Sequence, residues 1–209
     1  MLAEESNPTM NRRQFTAMLT AVGLTSPAPI FGQRKAEEPE VLELSRNGWV
    51  PNNDRLPVLI YRDVVGVSGA DAAADFEQAF GHNGWPPQWR NGIYNFHHYH
   101  STAHEVLGIA AGQGRVVLGG PGGHEMTLNA RDVIVLPAGT GHCAMQTSAD
   151  FLVVGAYPPR QSWDICRSAP SQTERERMRT LPFPGSDPLT GTTGALTRLW
   201  KLPVQETDA

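Results

Sequence analysis

The sequence predicts an all-β fold, a sandwich or barrel of short strands, and three observations carry that expectation. From residue 92 to 157, β-type segments at 93–100, 105–110, 114–118, 124–128, 132–136, 142–147 and 151–157 are separated by glycine-rich turns, the rhythm of an all-β domain. Helical periodicity is confined to short stretches outside that region. With 209 residues, 40% of them hydrophobic and 18% charged, the chain has the composition of an ordinary globular domain that can bury a real core.

In chain order, Asn11-Arg12-Arg13-Gln14-Phe15 precedes a weakly apolar run, TAMLTAVGLT, and then the small-residue, proline-containing segment SPAPIFG. A charged segment, a short apolar region and a small-residue exit make a secretory signal rather than a membrane span. The paired arginines resemble the twin-arginine export signal, and the run has about half the length that crosses a bilayer. Residues 1–32 are therefore expected to be an export signal, cleaved after Ala28 or nearer Gly32, with no stable membrane insertion of the mature protein. The rival reading is an amphipathic helix with an incidental Arg pair, which Gly23, Pro27 and Pro29 would soon break. A protein exported folded would acquire its metal in the cytoplasm, where availability rather than affinity selects the weaker binders.

Residues 33–47 read as a linker with a first edge strand near 41–45, and residues 48–200 as a single domain followed by a tail at 201–209. PVLIYRDVV at 57–65 is a β-rich run. DAAADFEQAFGHNG at 71–84 is a helix capped by Asp71, with Phe76, Ala79 and Phe80 on one face and Gly81 available to end it. Trp85-Pro86-Pro87-Gln88-Trp89 either rims a pocket or, the favoured reading, packs its indoles onto the sheet. Toward the carboxy terminus, SQTERERMRT at 171–180 is a short helix capped by Ser171, LPFPGSDPLTGTTG is an irregular arm, and ALTRLW at 195–200 is expected to form an edge strand or to pack on a second subunit.

The chemistry concentrates in GIYNFHHYHSTAHEVLGIAAG, residues 92–112, which holds four of the seven histidines, at 97, 98, 100 and 104, beside Glu105. In an extended chain His98 and His100 point the same way, and after a turn of roughly four residues Glu105 can return beside them. Two neutral imidazoles and a carboxylate suit a divalent transition metal. A further ligand is expected downstream, where Pro137-Ala138-Gly139-Thr140-Gly141 is a sharp turn delivering His142 to the next strand. His104-Glu105 begins an H-E-x-x-H zinc motif, but position 108 is Gly, so that motif fails. His104 is expected to face away from the metal and orient a neighbour. His97 and His124 read as surface or packing residues, His82 as a solvated helix end. Cys143, next to His142, points off the site by the same alternation. Cys143 and Cys166 are too few for a disulfide framework; a single bridge and two free thiols stay open. Gly119-Gly120-Pro121-Gly122-Gly123 lacks the Lys-Ser/Thr and following helix of a phosphate cradle and reads as a hairpin turn. Asp164 is either an acid or base near the barrel mouth or, the favoured reading, part of a surface turn.

Gly92, His98, His100, Glu105 and Gly112 match every position of the motif G-x5-H-x-H-x4-E-x6-G. Pro137, Gly139 and His142 match the core of G-x5-P-x-G-x2-H-x3-N, with Arg131 and Gln146 departing from its ends. On these residues the chain resembles the cupin superfamily, of RmlC-like type. Through VPNN, LPVLIY, WRNGIYNFHHYHSTAHEVLG, LPAGTGH and LVVGAYP it resembles the YjlB-like cupins over about residues 48–200. The resemblance implies a double-stranded β-helix, or jelly-roll barrel, with a few short flanking helices. It also implies that His98, His100, Glu105 and His142 bind one divalent metal ion (Mn, Fe, Ni or Zn) inside it, and that the protein forms a homodimer.

A net charge of −4 without a basic run excludes nucleic acid as a partner. The expected function is that of a small metalloenzyme, dioxygenase-like or isomerase-like, acting on a small-molecule substrate. The rival is a non-catalytic protein that holds metal or a small metabolite. No Ser/His/Asp order or further acid-base pair is evident, and the reaction class stays open.

Overall fold

The computed structural model describes residues 38–64, 66–67 and 71–201. The export-signal reading of residues 1–32 and most of the 201–209 tail lie outside them. Among the described residues nine strands form two antiparallel sheets. In chain order they are β1 (Glu40–Leu42), β2 (Val58–Tyr61), β3 (Pro87–Asn91), β4 (Glu105–Ala111), β5 (Gln113–Leu118), β6 (His124–Asn129), β7 (Val133–Leu136), β8 (His142–Thr147) and β9 (Leu152–Ala156). The larger sheet runs β1-β2-β7-β4-β9-β3, the smaller β6-β5-β8. The fold is an all-β jelly roll, and the described residues add three short helices: α1 (Ala72–His82), α2 (Gln172–Thr180) and α3 (Ala195–Leu199).

The central strands of the larger sheet are apolar at nearly every position, Glu105 at the start of β4 being the charged exception, because both faces of the sheet are covered. Alternate residues face opposite ways. Val58, Ile60, Leu107, Ile109, Ile134, Leu136 and Val153 meet Val116, Leu118, Leu128 and Ala144 of the smaller sheet in one core cluster. Leu59, Tyr61, Val106, Val133, Val135, Val154 and Ala156 form a second cluster, packing with Phe76 and Phe80 of α1, Trp85, Leu196 and Trp200. This two-sided pattern fixes the inward parity of Glu105, two residues before Leu107, and of His142, two before Ala144.

Asp71 caps α1 by accepting from Ala74 N at 3.0 Å. The helix runs through Gly81 to His82, with Asn83 as its C-cap. Ser171 and Glu174 close a reciprocal capping box on α2. Two expectations are corrected. Residues 93–100 are not a ladder strand; the strand pairing with β9 is Pro87–Asn91, after which the Asn91 side chain accepts from Gly92 N at 2.8 Å and turns the chain out of the sheet. Residues 195–200 are not an edge strand. Residues 195–199 are helical, and Leu196 and Trp200 are buried in this chain's own core. Among the described residues no helix is long and apolar enough to cross a membrane.

Candidate metal centre

His98 and His100 lie on a short extended segment held from both sides. His98 exchanges backbone hydrogen bonds with His142 (3.3 and 2.9 Å), Tyr99 with Cys166 (3.1 and 2.9 Å), and the His100 carbonyl accepts from Gly139 N at 2.8 Å. Gly139 sits at φ +93°, a conformation that costs glycine little. It lets the Pro137–Gly141 turn bring its backbone against His100 while aiming His142 inward. Glu105 opens β4 on the same interior face.

The structure thus brings His98, His100, Glu105 and His142 together, none more than 5% exposed. One nitrogen from each of the three imidazoles lies within 4.8 Å of the others, so the group could hold a metal ion. Glu105 Oε2 is 3.3 Å from His100 Nε2 and 3.4 Å from His142 Nε2.

Each of these histidines has its Nδ1 against a backbone carbonyl: His98 with Phe96 at 3.2 Å, His142 with Thr140 at 3.1 Å, and His100 with Asp164 in a very short contact. A carbonyl only accepts, so Nδ1 carries the proton and, in the neutral ring, Nε2 presents its lone pair. Glu105 Oε1 accepts from the Tyr157 hydroxyl at 2.6 Å, whereas the buried Oε2 makes no hydrogen bond to any of the described residues. A buried carboxylate oxygen left unpaired beside two Nε2 atoms is costly unless a cation completes it. The donor set of three imidazoles and one carboxylate fits a divalent first-row metal.

Burial, reinforced by the neighbouring imidazoles, lowers the His98 pKa to about 3. Burial likewise takes His142 to about 4, against the pull of Glu105. Burial also opposes charge on His100, but Glu105 outweighs it and raises that pKa. Glu105 is brought down to about 2; its burial works the other way, and the His100 charge prevails.

The other candidates separate cleanly. His104 is fully buried on the opposite face. Its Nδ1 accepts from Ala138 N at 3.0 Å and its ring lies 4.9 Å from that of Trp200, so it holds the turn that delivers His142 and touches no ligand atom. Burial lowers its pKa to about 3. His97 is half-buried; His82 and His124 are exposed. Cys143 is buried and Cys166 half-buried, and both are free thiols. Asp164 is neither a free acid-base group nor a mere surface turn. Its carboxylate accepts from Ser101 N (2.7 Å) and Ser101 Oγ (2.6 Å), and its carbonyl holds His100. It braces the ligand segment from 63 residues away.

Above the cluster lies a cavity of about 540 Å³ walled by Trp89, Tyr94, Tyr157 and Trp163, with Asn91 and Asn95 among its other lining residues. Tyr157 and Trp163 stack at 6.0 Å. Trp85 packs in the core as expected; Trp89 packs against the core as well and also lines the cavity, so both readings hold for it. Tyr157 in GAYPP is another cavity residue, and the sequence does not single it out. The only signal was an aromatic residue continuing a strand beside the ligand strand.

A pH dependence follows. The unfolded chain binds protons on His98, His104 and His142 as pH falls below about 6.5, while the folded chain does not until about pH 3–4. Each contributes a loss of up to about 1.4 kcal/mol per pH unit. His100, raised when folded, adds stability that is complete below about 6.5 and therefore does not offset this slope. The metal-free protein is expected to lose stability steadily between pH 6 and 4 in thermal unfolding. A flat profile over that range would contradict the assignment.

No protein-family model matches the chain. The chain is 30% identical over 156 residues to the uncharacterized protein YjlB of Bacillus subtilis (strain 168), a match covering 74% of this chain and 92% of that one. It is also similar to a solved structure, dTDP-6-deoxy-D-glucose-3,5-epimerase RmlC from Legionella pneumophila Philadelphia 1 in complex with dTDP-4-keto-L-rhamnose. There the identity is 14% and the TM-score 0.30, over 75% of this chain and 100% of RmlC.

Proposed function

The chain belongs to the family of Bacillus subtilis YjlB, and on that footing we propose that it is a small cupin-type metalloenzyme acting on a small organic molecule. His98, His100, Glu105 and His142 would hold one divalent ion of Mn, Fe, Ni or Zn. The observation that carries this is the buried, unpaired Glu105 Oε2 facing the Nε2 atoms of His100 and His142. When bound, such an ion supplies Lewis-acid polarisation, or dioxygen chemistry if it is iron.

The chain's own residues shape what could react there. The cavity walls give flat aromatic faces and two neutral amides, with no Lys or Arg among the lining residues. A ligand would be gripped by its face and by oxygen donors rather than by a phosphate. Outside the His/Glu cluster the titratable lining groups are Tyr94 and Tyr157, and burial followed by the Glu105 charge raises the Tyr157 pKa. This scarcity of a ready acid or base favours one alternative reading, a non-catalytic protein that binds metal or a metabolite. Export of the mature chain by the twin-arginine route and a homodimeric state belong to the same proposal.

Recovery of native protein from outside the cytoplasmic membrane tests these together. The proposal expects an intact mass starting near residue 29–33, close to one divalent ion per chain, a dimer in light scattering, and turnover in oxygen-uptake or isomerisation screens. Metal-free protein from that compartment would sink the metal reading. Tight metabolite binding without turnover would select the alternative.

A further inference from the structure

Glu105 is held by one oxygen and open at the other. The Tyr157 hydroxyl donates to Oε1 at 2.6 Å and itself accepts from Trp89 Nε1 at 2.8 Å. An indole N–H only donates, so the single phenolic proton is directed at the carboxylate. The chain of bonds crosses adjacent strands: Trp89 on β3, Tyr157 just past the end of β9, and Glu105 on β4. Its closeness depends on Gly155, the residue paired with Trp89. A Cβ there would fall 2.1 Å from the indole Cε2 and 2.6 Å from Nε1, so any larger residue pushes the indole off β9 and away from Tyr157.

We infer that Trp89, Tyr157 and Gly155 form a positioning device that fixes Glu105 as a one-oxygen donor, occupying Oε1 so that only Oε2 is presented to the metal. The inference rests on the metal reading above. Freeing Oε1 would break a hydrogen bond to a charged group, which is stronger than one between neutral groups. Tyr157 also walls the cavity, so the group that restrains the carboxylate is one a bound ligand would touch.

The test uses the full chain loaded with Co(II), read by chelator competition for the dissociation constant and by visible d–d absorption for coordination number. Tyr157→Phe removes only the hydroxyl. It is expected to weaken Co(II) binding about 10- to 100-fold, the usual cost of losing a ligand's supporting partner. It should also lower the d–d intensity as the second carboxylate oxygen turns toward the ion. Trp89→Phe and Gly155→Ala keep the phenol and should move both readouts the same way by less; should Tyr157→Phe not fold, Trp89→Phe carries the test. If wild type binds one Co(II) and the variants match it in affinity and spectrum, the positioning role is overturned while the metal site stands. A wild type that binds no Co(II) overturns the metal reading and this inference with it.

Discussion

Replacing His142 with alanine is expected to cost the centre its metal, lowering affinity by more than the ~100-fold upper end of losing a supporting partner, because a donor atom itself is removed. His142 Nε2 is one of two imidazole nitrogens flanking Glu105 Oε2, and its own Nδ1 is already committed to the Thr140 carbonyl. The variant should therefore leave His98, His100 and Glu105 in place with one corner of the site empty. His98→Ala should behave alike. His104→Ala is the informative control. It removes the bond to Ala138 N but no donor, so it should weaken binding without abolishing it. Metal content after dialysis and chelator competition separate these cases, and full retention by both His98→Ala and His142→Ala would refute the site. There is a second readout. Deleting a group whose pKa lies near 4 when folded removes one source of acid sensitivity, so metal-free His142→Ala should lose less stability than wild type between pH 6 and 4.

How much of this could be read beforehand depends on the range of the interactions. Period-two alternation is local, so β4 to β9 and the inward parity of Glu105 and His142 were legible from short windows of sequence. The turn at Pro137–Gly141 was legible because Pro and Gly announce their backbone geometry. The segment that bears His98 and His100 reads as a strand because apolar and aromatic residues at 93–99 look β-like, while the partners that hold it are remote. These are His142, Cys166, Asp164 and Gly139, and no local pattern says that any of them meets this segment. The same applies to Tyr157 and Trp89. Each is an ordinary strand aromatic until the β4-β9-β3 order places their polar atoms in line with Glu105. The arm after α2 was illegible for a related reason. Its prolines and glycines read as loop, but its role is set by one buried carboxylate.

That carboxylate supports the largest stability effect. Asp187→Ala is expected to destabilise the protein by about 3–5 kcal/mol, as when one partner of a buried charged network is removed. Asp187 is 0% exposed. Its Oδ1 accepts from Leu189 N at 2.9 Å and Thr190 N at 3.1 Å; its Oδ2 accepts from Leu196 N at 3.0 Å and, in a very short contact, from the Tyr61 hydroxyl. Alanine would leave Tyr61 Oη and Leu196 N buried without an acceptor, and asparagine would set an N–H donor against them if it kept Oδ1 in place. The loss should reach the metal centre. Leu196 N starts the helix that leads to Trp200, Trp200 packs on His104, and His104 holds Ala138 in the turn ahead of His142. Urea unfolding of the metal-free protein should show the full decrement, and chelator competition a weaker site in the variant that still folds. A decrement below about 1 kcal/mol, the scale of an ordinary neutral hydrogen bond, would mean that the arm is not anchored through Asp187.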